Sequence, residues 1–298
     1  MRVTVGLACV ALAAGVLSGC AAPGPRADGR LSVVAGESPW GSIAAAVGGR
    51  HVAVTSLIST PGSDPHEYVA SAPAAASVAT ADVVVENGLG YDAFLDHLVA
   101  TGGTHERVVV NAASVLGVSG TEANPHLFYA VERVGTVAEA IASAYSKVDP
   151  THQRDYETSL RSFLDSLGPL NAQVTALRAA HGGEGVAQTE RLAGDLLEEA
   201  GLIPIGPEGF SRAIEEGREP TAADRHALEV VLATHRVVAL VVSSGPQNTS
   251  VREVIALSKS NGIGVVTMSE LVVPQGASYV SWMRAQVGAL ATVVGGAR

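Results

Sequence analysis

Between Thr151 and Ala180 apolar residues recur at steps of three and four, at Leu160, Phe163, Leu164, Leu167, Leu170, Val174 and Leu177, interrupted only by Gly168-Pro169. That spacing lays one apolar stripe along a single long amphipathic helix. Asp149-Pro150 breaks the chain before it and His181-Gly182-Gly183 ends it. On either side, short β-branched runs alternate with Ala-rich or Leu-rich amphipathic stretches, the pattern of βα units around parallel sheets. The predicted strands before the helix are Leu31–Ala35, Val52–Leu57, Asp82–Glu86 and Arg107–Val110, followed by a helix over Val131–Lys147. After it come Gly185–Gln188, a helix to Ala200, Val237–Val242, a helix through Ser260, Gly264–Thr267 and a final helix from Ser278. Thr221-Ala-Ala-Asp224 has the capping-box form and opens a helix over Ala222–Thr234. The expected fold class is α/β: two small lobes with parallel sheets flanked by helices, 31–148 and 183–298, joined by one long rigid helix over 149–182.

Residues 1–30 stand apart from that fold. Arg2, an apolar run to Leu17 and then small residues form the layout of a secretory signal peptide over 1–19. The apolar segment from Val3 to Ser18 is shorter than the ~20 residues a membrane-crossing helix needs. Leu17-Ser18-Gly19-Cys20 resembles a bacterial lipobox, with Cys20 as the lipidation site, and residues 20–30, holding Pro23, Gly24 and Pro25, form an anchor and tether. The chain has 2 cysteines. Cys9 lies in the leader, so the mature protein has no disulfide and an exported fold must rest on its packed cores. A hydrophobic content of 47% with a net charge of −10 excludes disorder and a basic nucleic-acid binder.

Several catalytic and nucleotide motifs fail. Gly88-x-Gly90-x-x-Ala93 matches a dinucleotide fingerprint in form, but the acidic residue expected after the next strand is absent, because Val110 is followed by Asn111. The glycines then read as a tight strand-to-helix turn. There is no P-loop and no nucleophile elbow. The pairs His66-Glu67 and His105-Glu106 lack the second histidine of a zincin motif.

Two histidines sit in similar loops, Ser63-Asp-Pro-His66-Glu-Tyr68 and Ala123-Asn-Pro-His126-Leu-Phe128. In each, proline fixes φ and biases the residue before it toward extended geometry, so the imidazole is presented from a stiff turn. Imidazole is the commonest metal ligand, and rigid presentation lowers the cost of organising a site. Ordinary loop histidines are the alternative on these motifs alone. His51, His97, His105, His152, His181, His226 and His235 read as surface or core residues.

With these motifs in hand, the sequence resembles the solute-binding lipoproteins of bacterial zinc and manganese ABC importers. The resemblance rests on Ser38-Pro-Trp-Gly-Ser-Ile-Ala44 with Gly48-Gly49, Asp64-Pro-His-Glu-Tyr68 and the strand-turn-helix Asp82–Phe94. It continues through Asn124-Pro-His-Leu-Phe-Tyr129, Thr189-Glu190 with Leu196, Leu197 and Ala200-Gly-Leu202, and Gly276–Met283. It implies one divalent metal ion held in the cleft between the lobes, with His66 and His126 as ligands from the first lobe and Glu190 from the second. The family's fourth ligand is an Asp or Glu after the last strand. Here alignment puts Ser269 at that place with Glu270 one residue on, and a shift of one turns a side chain the other way in an extended segment. Glu270 is the expected fourth ligand, with Ser269, Gln247 or water as alternatives, and Asp64 or Glu67 is expected to support His66 from behind.

The function this implies is an extracytoplasmic, lipid-anchored, monomeric receptor that delivers Zn²⁺ or Mn²⁺ to a membrane permease with its cytoplasmic ATPase, and is not an enzyme. Two imidazoles with carboxylates suit Mn²⁺, and the His-rich acidic loop of many zinc-specific members is missing, yet Zn²⁺ binds such sites more tightly by the Irving–Williams order. Rival readings are a surface adhesin, a pseudo-receptor with a degraded site, and a metallohydrolase using two histidines and a glutamate around an open metal position. Capture requires deprotonated imidazoles, so affinity is expected to fall as pH drops through the histidine range.

Overall fold

The computed structural model describes residues 29–63, 65 and 68–296. Residues 1–28, with Cys20, and Asp64, His66 and Glu67 of the first histidine loop, lie outside the described residues. The elements of the first lobe are Leu31–Glu37 (β1), Ser38–Gly48 (α1), Val52–Ile58 (β2), Ala72–Ala79 (α2), Val83–Glu86 (β3), Ala93–Thr101 (α3), Val108–Asn111 (β4), Ala112–Leu116 (α4) and Val134–Val148 (α5). Gln153–His181 (α6) then carries the chain across. The second lobe holds Gly185–Gln188 (β5), Gly194–Glu199 (α7), Ile203–Pro204 (β6), Glu208–Glu215 (α8), Ala222–Ala233 (α9), Ala239–Ser243 (β7), Thr249–Ser260 (α10), Gly264–Met268 (β8) and Tyr279–Gly295 (α11). Among the described residues no helix is long and apolar enough to cross a membrane.

The two sheets repeat one topology. The first runs β2-β1-β3-β4 and the second β6-β5-β7-β8, and every pairing is parallel. In each, the strand order reverses next to the first strand, between β1 and β3 and between β5 and β7. Such switch points open a crevice outside the carboxyl ends of the strands, where open α/β sheets bind ligands. Glu37, Glu86, Ser243 and the segments Thr189-Glu190 and Ser269-Glu270 all stand at those ends.

The apolar stripe of α6 does what its spacing predicts. Phe163, Leu167, Leu170, Val174 and Leu177 are buried, joined by Tyr156, while Leu160 and Leu164 pack partly buried against the same core. Pro169 removes one backbone donor without ending the helix. Thr221 caps α9 by accepting from the Asp224 amide at 3.1 Å, as the capping-box reading expects.

One hydrophobic core runs through both lobes and the linking helix. The chain has few aromatics, and six of them, Trp40, Tyr91, Phe128, Tyr129, Tyr279 and Trp282, gather where the lobes meet. Phe128 and Tyr129 of the first lobe lie 6.3 and 5.7 Å from the Trp282 ring of the second. Polar contacts cross the same junction: Tyr129 O–H donates to the Ser269 carbonyl at 2.8 Å, Tyr279 O–H to the Phe128 carbonyl at 2.8 Å, and the Val272 amide to Ser38 Oγ at 2.9 Å. Pulling the lobes apart would expose this aromatic cluster and orphan these donors, so wide hinge opening is costly.

Candidate metal centre

His126 is fully buried in the loop after α4. The loop is tied from two sides. Asn87, at the end of β3, donates from Nδ2 to the Pro125 carbonyl at 2.8 Å while its Oδ1 accepts from the Trp40 indole at 3.1 Å. Asn124 accepts through Oδ1 from the His126 amide at 3.2 Å and faces the His126 ring at Nδ1, 2.9 Å away. The orientation of the Asn124 amide is fixed from the other lobe, because its Nδ2 donates to the Arg191 carbonyl at 3.1 Å. With Oδ1 thus turned to the ring, Nδ1 must carry the proton, and Nε2 is the nitrogen able to offer a lone pair.

That nitrogen faces the second lobe. His126 Nε2 lies 3.7 Å from Glu270 Oε2, and Glu270 is itself buried. Two donors each about 2.1 Å from a tetrahedral ion stand about 3.4 Å apart, so the pair is spaced close to what one shared cation needs. Burial pulls the His126 ring toward the neutral form, but the hydrogen bond and charge of Glu270, aided by Glu215 and Glu190, outweigh it and raise its pKa. A proton on Nε2 and a cation would compete for the same place between the two donors.

Glu190 follows the buried Thr189 at the end of β5, half-buried in extended backbone, and its charge acts on His126. Arg191 beside it pairs with Glu215, donating from Nε and Nη2 to Glu215 Oε2 at 3.0 and 2.8 Å, and from Nη1 to the Glu122 carbonyl at 3.0 Å.

The two candidates after β8 part as their alternation requires. Ser269 turns into its own lobe, donating from Oγ to the Leu271 carbonyl at 3.0 Å and accepting from the Trp282 indole at 2.8 Å. Glu270 turns the other way, to His126. The structure therefore brings together His126 and Glu270, with Glu190 within electrostatic reach, and leaves Ser269 out. Gln247 lies half-buried in the turn before α10, where the neighbouring Asn248 caps the helix by accepting from the Val251 amide at 3.0 Å; the turn reading accounts for it.

The glycine turn after β3 holds no phosphate cradle. Gly88, Leu89 and Gly90 have φ of 81°, 57° and 78°, and the amides of Asn87 and Gly88 donate to the Asp92 carboxylate at 2.6 and 2.9 Å. These two amides, which a phosphate would use at such a turn, are taken by its own Asp92. Glu37, at the end of β1, is a feature with no sequence signal. It is fully buried, neither carboxylate oxygen has a hydrogen-bond partner among the described residues, and burial, with the charges of Asp92, Glu270 and Glu86, drives its pKa well above the usual range. Burial and those charges thus favour its neutral form over a further negative charge in the cleft.

A profile of the family described as zinc-uptake complex component A, periplasmic (ZnuA), matches residues 33–293. The chain belongs to the ZnuA family. The family resemblance read from the motifs thus spans both lobes and the helix between them. The manganese-binding lipoprotein MntA of Bacillus subtilis is 28% identical over 169 residues, which is 54% of this chain and 55% of the relative, so the match spans about half the length of that curated relative. Among solved structures, the periplasmic zinc binding protein TroA of Treponema pallidum superposes with a TM-score of 0.75 at 20% identity, covering 89% of this chain and 99% of that one. A mutant structure of the laminin-binding adhesin of Streptococcus agalactiae gives 0.76 at 20% identity, covering 89% and 99%. These likenesses establish the fold: two parallel-sheet lobes bridged by a long helix.

Asn124 supports His126 through its ring nitrogen and joins the lobes. Asn124→Ala in this ZnuA-family protein is expected to weaken metal binding about 10–100-fold while leaving the fold intact. Competition against a chromophoric chelator, with circular dichroism alongside, measures both.

Proposed function

We propose that the protein is an extracytoplasmic receptor that captures Zn²⁺ or Mn²⁺ and delivers it to a membrane permease driven by a cytoplasmic ATPase. The observation that carries this is the buried His126–Glu270 pair, contributed by opposite lobes of a ZnuA-family chain with donors 3.7 Å apart. The proposed ligands are His66, His126, Glu190 and Glu270, with Cys20 as the lipid anchor that keeps a monomeric receptor near its permease. A set of two nitrogens and two oxygens serves both ions; the manganese-binding relative and the zinc-binding structural neighbour leave the choice between them to competition. No covalent chemistry is done on the cargo in this cycle. The cleft's part is to hold a metal between His126 and Glu270 of the two lobes until the permease accepts it.

Elemental analysis of the soluble form beginning after Cys20, loaded with each ion, tests the reading. One equivalent of metal in the wild type, lost in His66→Ala and His126→Ala, is the expected result. No metal in the wild type after loading would refute it. The fold it shares with a laminin-binding adhesin favours a second reading, surface adhesion. A deletion strain that starves in metal-depleted medium and recovers on added metal would separate transport from adhesion.

A further inference from the structure

Glu270 does not reach His126 unaided. Tyr91, in the turn between β3 and α3, is buried, and its hydroxyl donates to Glu270 Oε2 at 2.6 Å across the lobe junction. Its ring stands edge-on to His126, with centroids 5.4 Å apart and planes at 74°. One side chain therefore touches both members of the pair. On the other carboxylate oxygen the contact is longer, with Ser243 Oγ 3.4 Å from Oε1.

The turn that carries Tyr91 is built to hold it still. Three consecutive residues, Gly88 to Gly90, take positive φ; the Tyr91 amide closes back on the Gly88 carbonyl at 3.1 Å; and Asp92 clamps the amides of Asn87 and Gly88. A Cβ on Gly88 would stand 2.7 Å from Asn111 Oδ1, so the turn has no alternative packing at that corner.

We propose that Tyr91 is the positioning residue of the metal site: its hydroxyl fixes Glu270 Oε2 beside His126 Nε2 and latches the second lobe to the first. A carboxylate oxygen has two lone-pair sites. Tyr91 donates to Oε2 from one side, and His126 Nε2 faces the same oxygen from another, where a shared cation would sit. A charge-assisted O–H···O⁻ bond of this length is of the strong class, and ligating carboxylates are commonly held by such partners. Because the donor and the carboxylate belong to different lobes, losing the bond frees Glu270 to swing and the cleft to loosen together. The effect should therefore appear mainly in metal release.

This inference rests on Glu270 being a ligand, and the test separates the two. Tyr91→Phe removes one oxygen and keeps the ring. Zn²⁺ and Mn²⁺ affinity and dissociation rates are measured in the soluble form for wild type, Tyr91→Phe, Glu270→Asp, the double variant and Glu270→Ala. Tyr91→Phe is expected to weaken binding about 10–100-fold, through faster dissociation. On the Glu270→Asp background, where the shortened carboxylate no longer meets the phenol, the same change is expected to have less than a twofold effect. A merely structural role would give equal losses on both backgrounds. Wild-type affinity in Tyr91→Phe, or a full loss on the Glu270→Asp background, would overturn the proposal while leaving the receptor reading in place. Wild-type affinity in Glu270→Ala would remove the ligand role of Glu270 and this inference with it.

Discussion

His126→Ala is expected to lower metal affinity by more than about a hundredfold. Loss of a group that only supports a ligand already costs about 10–100-fold, and His126 is placed to be a ligand itself. Its Nδ1 is committed to Asn124 and its Nε2 is aimed at the partner carboxylate of the other lobe, so no neighbouring nitrogen replaces it. The ring also packs edge-on against Tyr91 and Phe128. Truncation leaves space there, and a second variant, His126→Gln, which fills much of that space, separates lost ligation from lost packing. Isothermal titration with Zn²⁺ and Mn²⁺ reads affinity, and thermal melting of the metal-free forms reads packing. Tight binding in both variants would show that the cation is held elsewhere.

The second large effect is a pair of opposed pH dependences. Burial raises Asp92 to about 6 and Glu86 and Glu199 to about 7, and drives Glu37 well up. His126 is raised as well, by Glu270 against the pull of burial. A group whose folded value lies above its unfolded one binds more protons folded than unfolded. Its stabilising contribution is complete below the unfolded value and is lost as pH rises through the folded one. All five groups act in that sense, so the metal-free protein is expected to lose stability as pH rises from about 4 through about 7, where the shifts of Asp92, Glu86 and Glu199 act. Asp149 acts the other way. Burial would raise it, but hydrogen bonds from His152 and Tyr156 outweigh burial and keep it low, so its contribution fails only in stronger acid.

Metal binding reverses the slope. The ion must displace the Nε2 proton, which costs about tenfold in affinity per pH unit for each proton released below the histidine value. At pH 7.5 and metal at about 1,000 times Kd, binding adds about 4 kcal/mol, a rise in melting temperature of about 8–16 °C for a protein of this size. At pH 5 the rise is expected to shrink to a few degrees or vanish. Melting curves with and without metal across pH 4.5–8 check both slopes. A metal-induced shift equal at pH 5 and pH 7.5 would contradict the histidine ligands.

The regular elements were legible in the sequence because period and punctuation agree there. The strands fall within a residue or two of their β-branched runs, and the stripe from Phe163 to Leu177 marked α6 through its internal Pro169. The segment after Leu202 was not legible. β6 is a two-residue strand, too short for any periodicity, with Pro204 unable to donate, and α8 carries no apolar run. Of the candidate site, the Asn-Pro frame pointed to His126, and the family resemblance pointed to Glu270, one residue past the aligned Ser269. Their supports were not legible, because Tyr91 meets Glu270 from 179 residues away and Asn124 meets the Arg191 carbonyl from 67. Contacts at such separation leave no local pattern. Glu37 shows the same limit in reverse, since nothing around it in the chain announces a carboxylate buried at a strand end.

Crystals of the soluble form grown with Zn²⁺ or Mn²⁺ and measured at the absorption edge of each metal test the central claim most directly. A single anomalous peak between the lobes, about 2.0–2.2 Å from both His126 Nε2 and Glu270 Oε2, is the expected result. A peak elsewhere, or bound metal in solution with no peak at that pair, would contradict it.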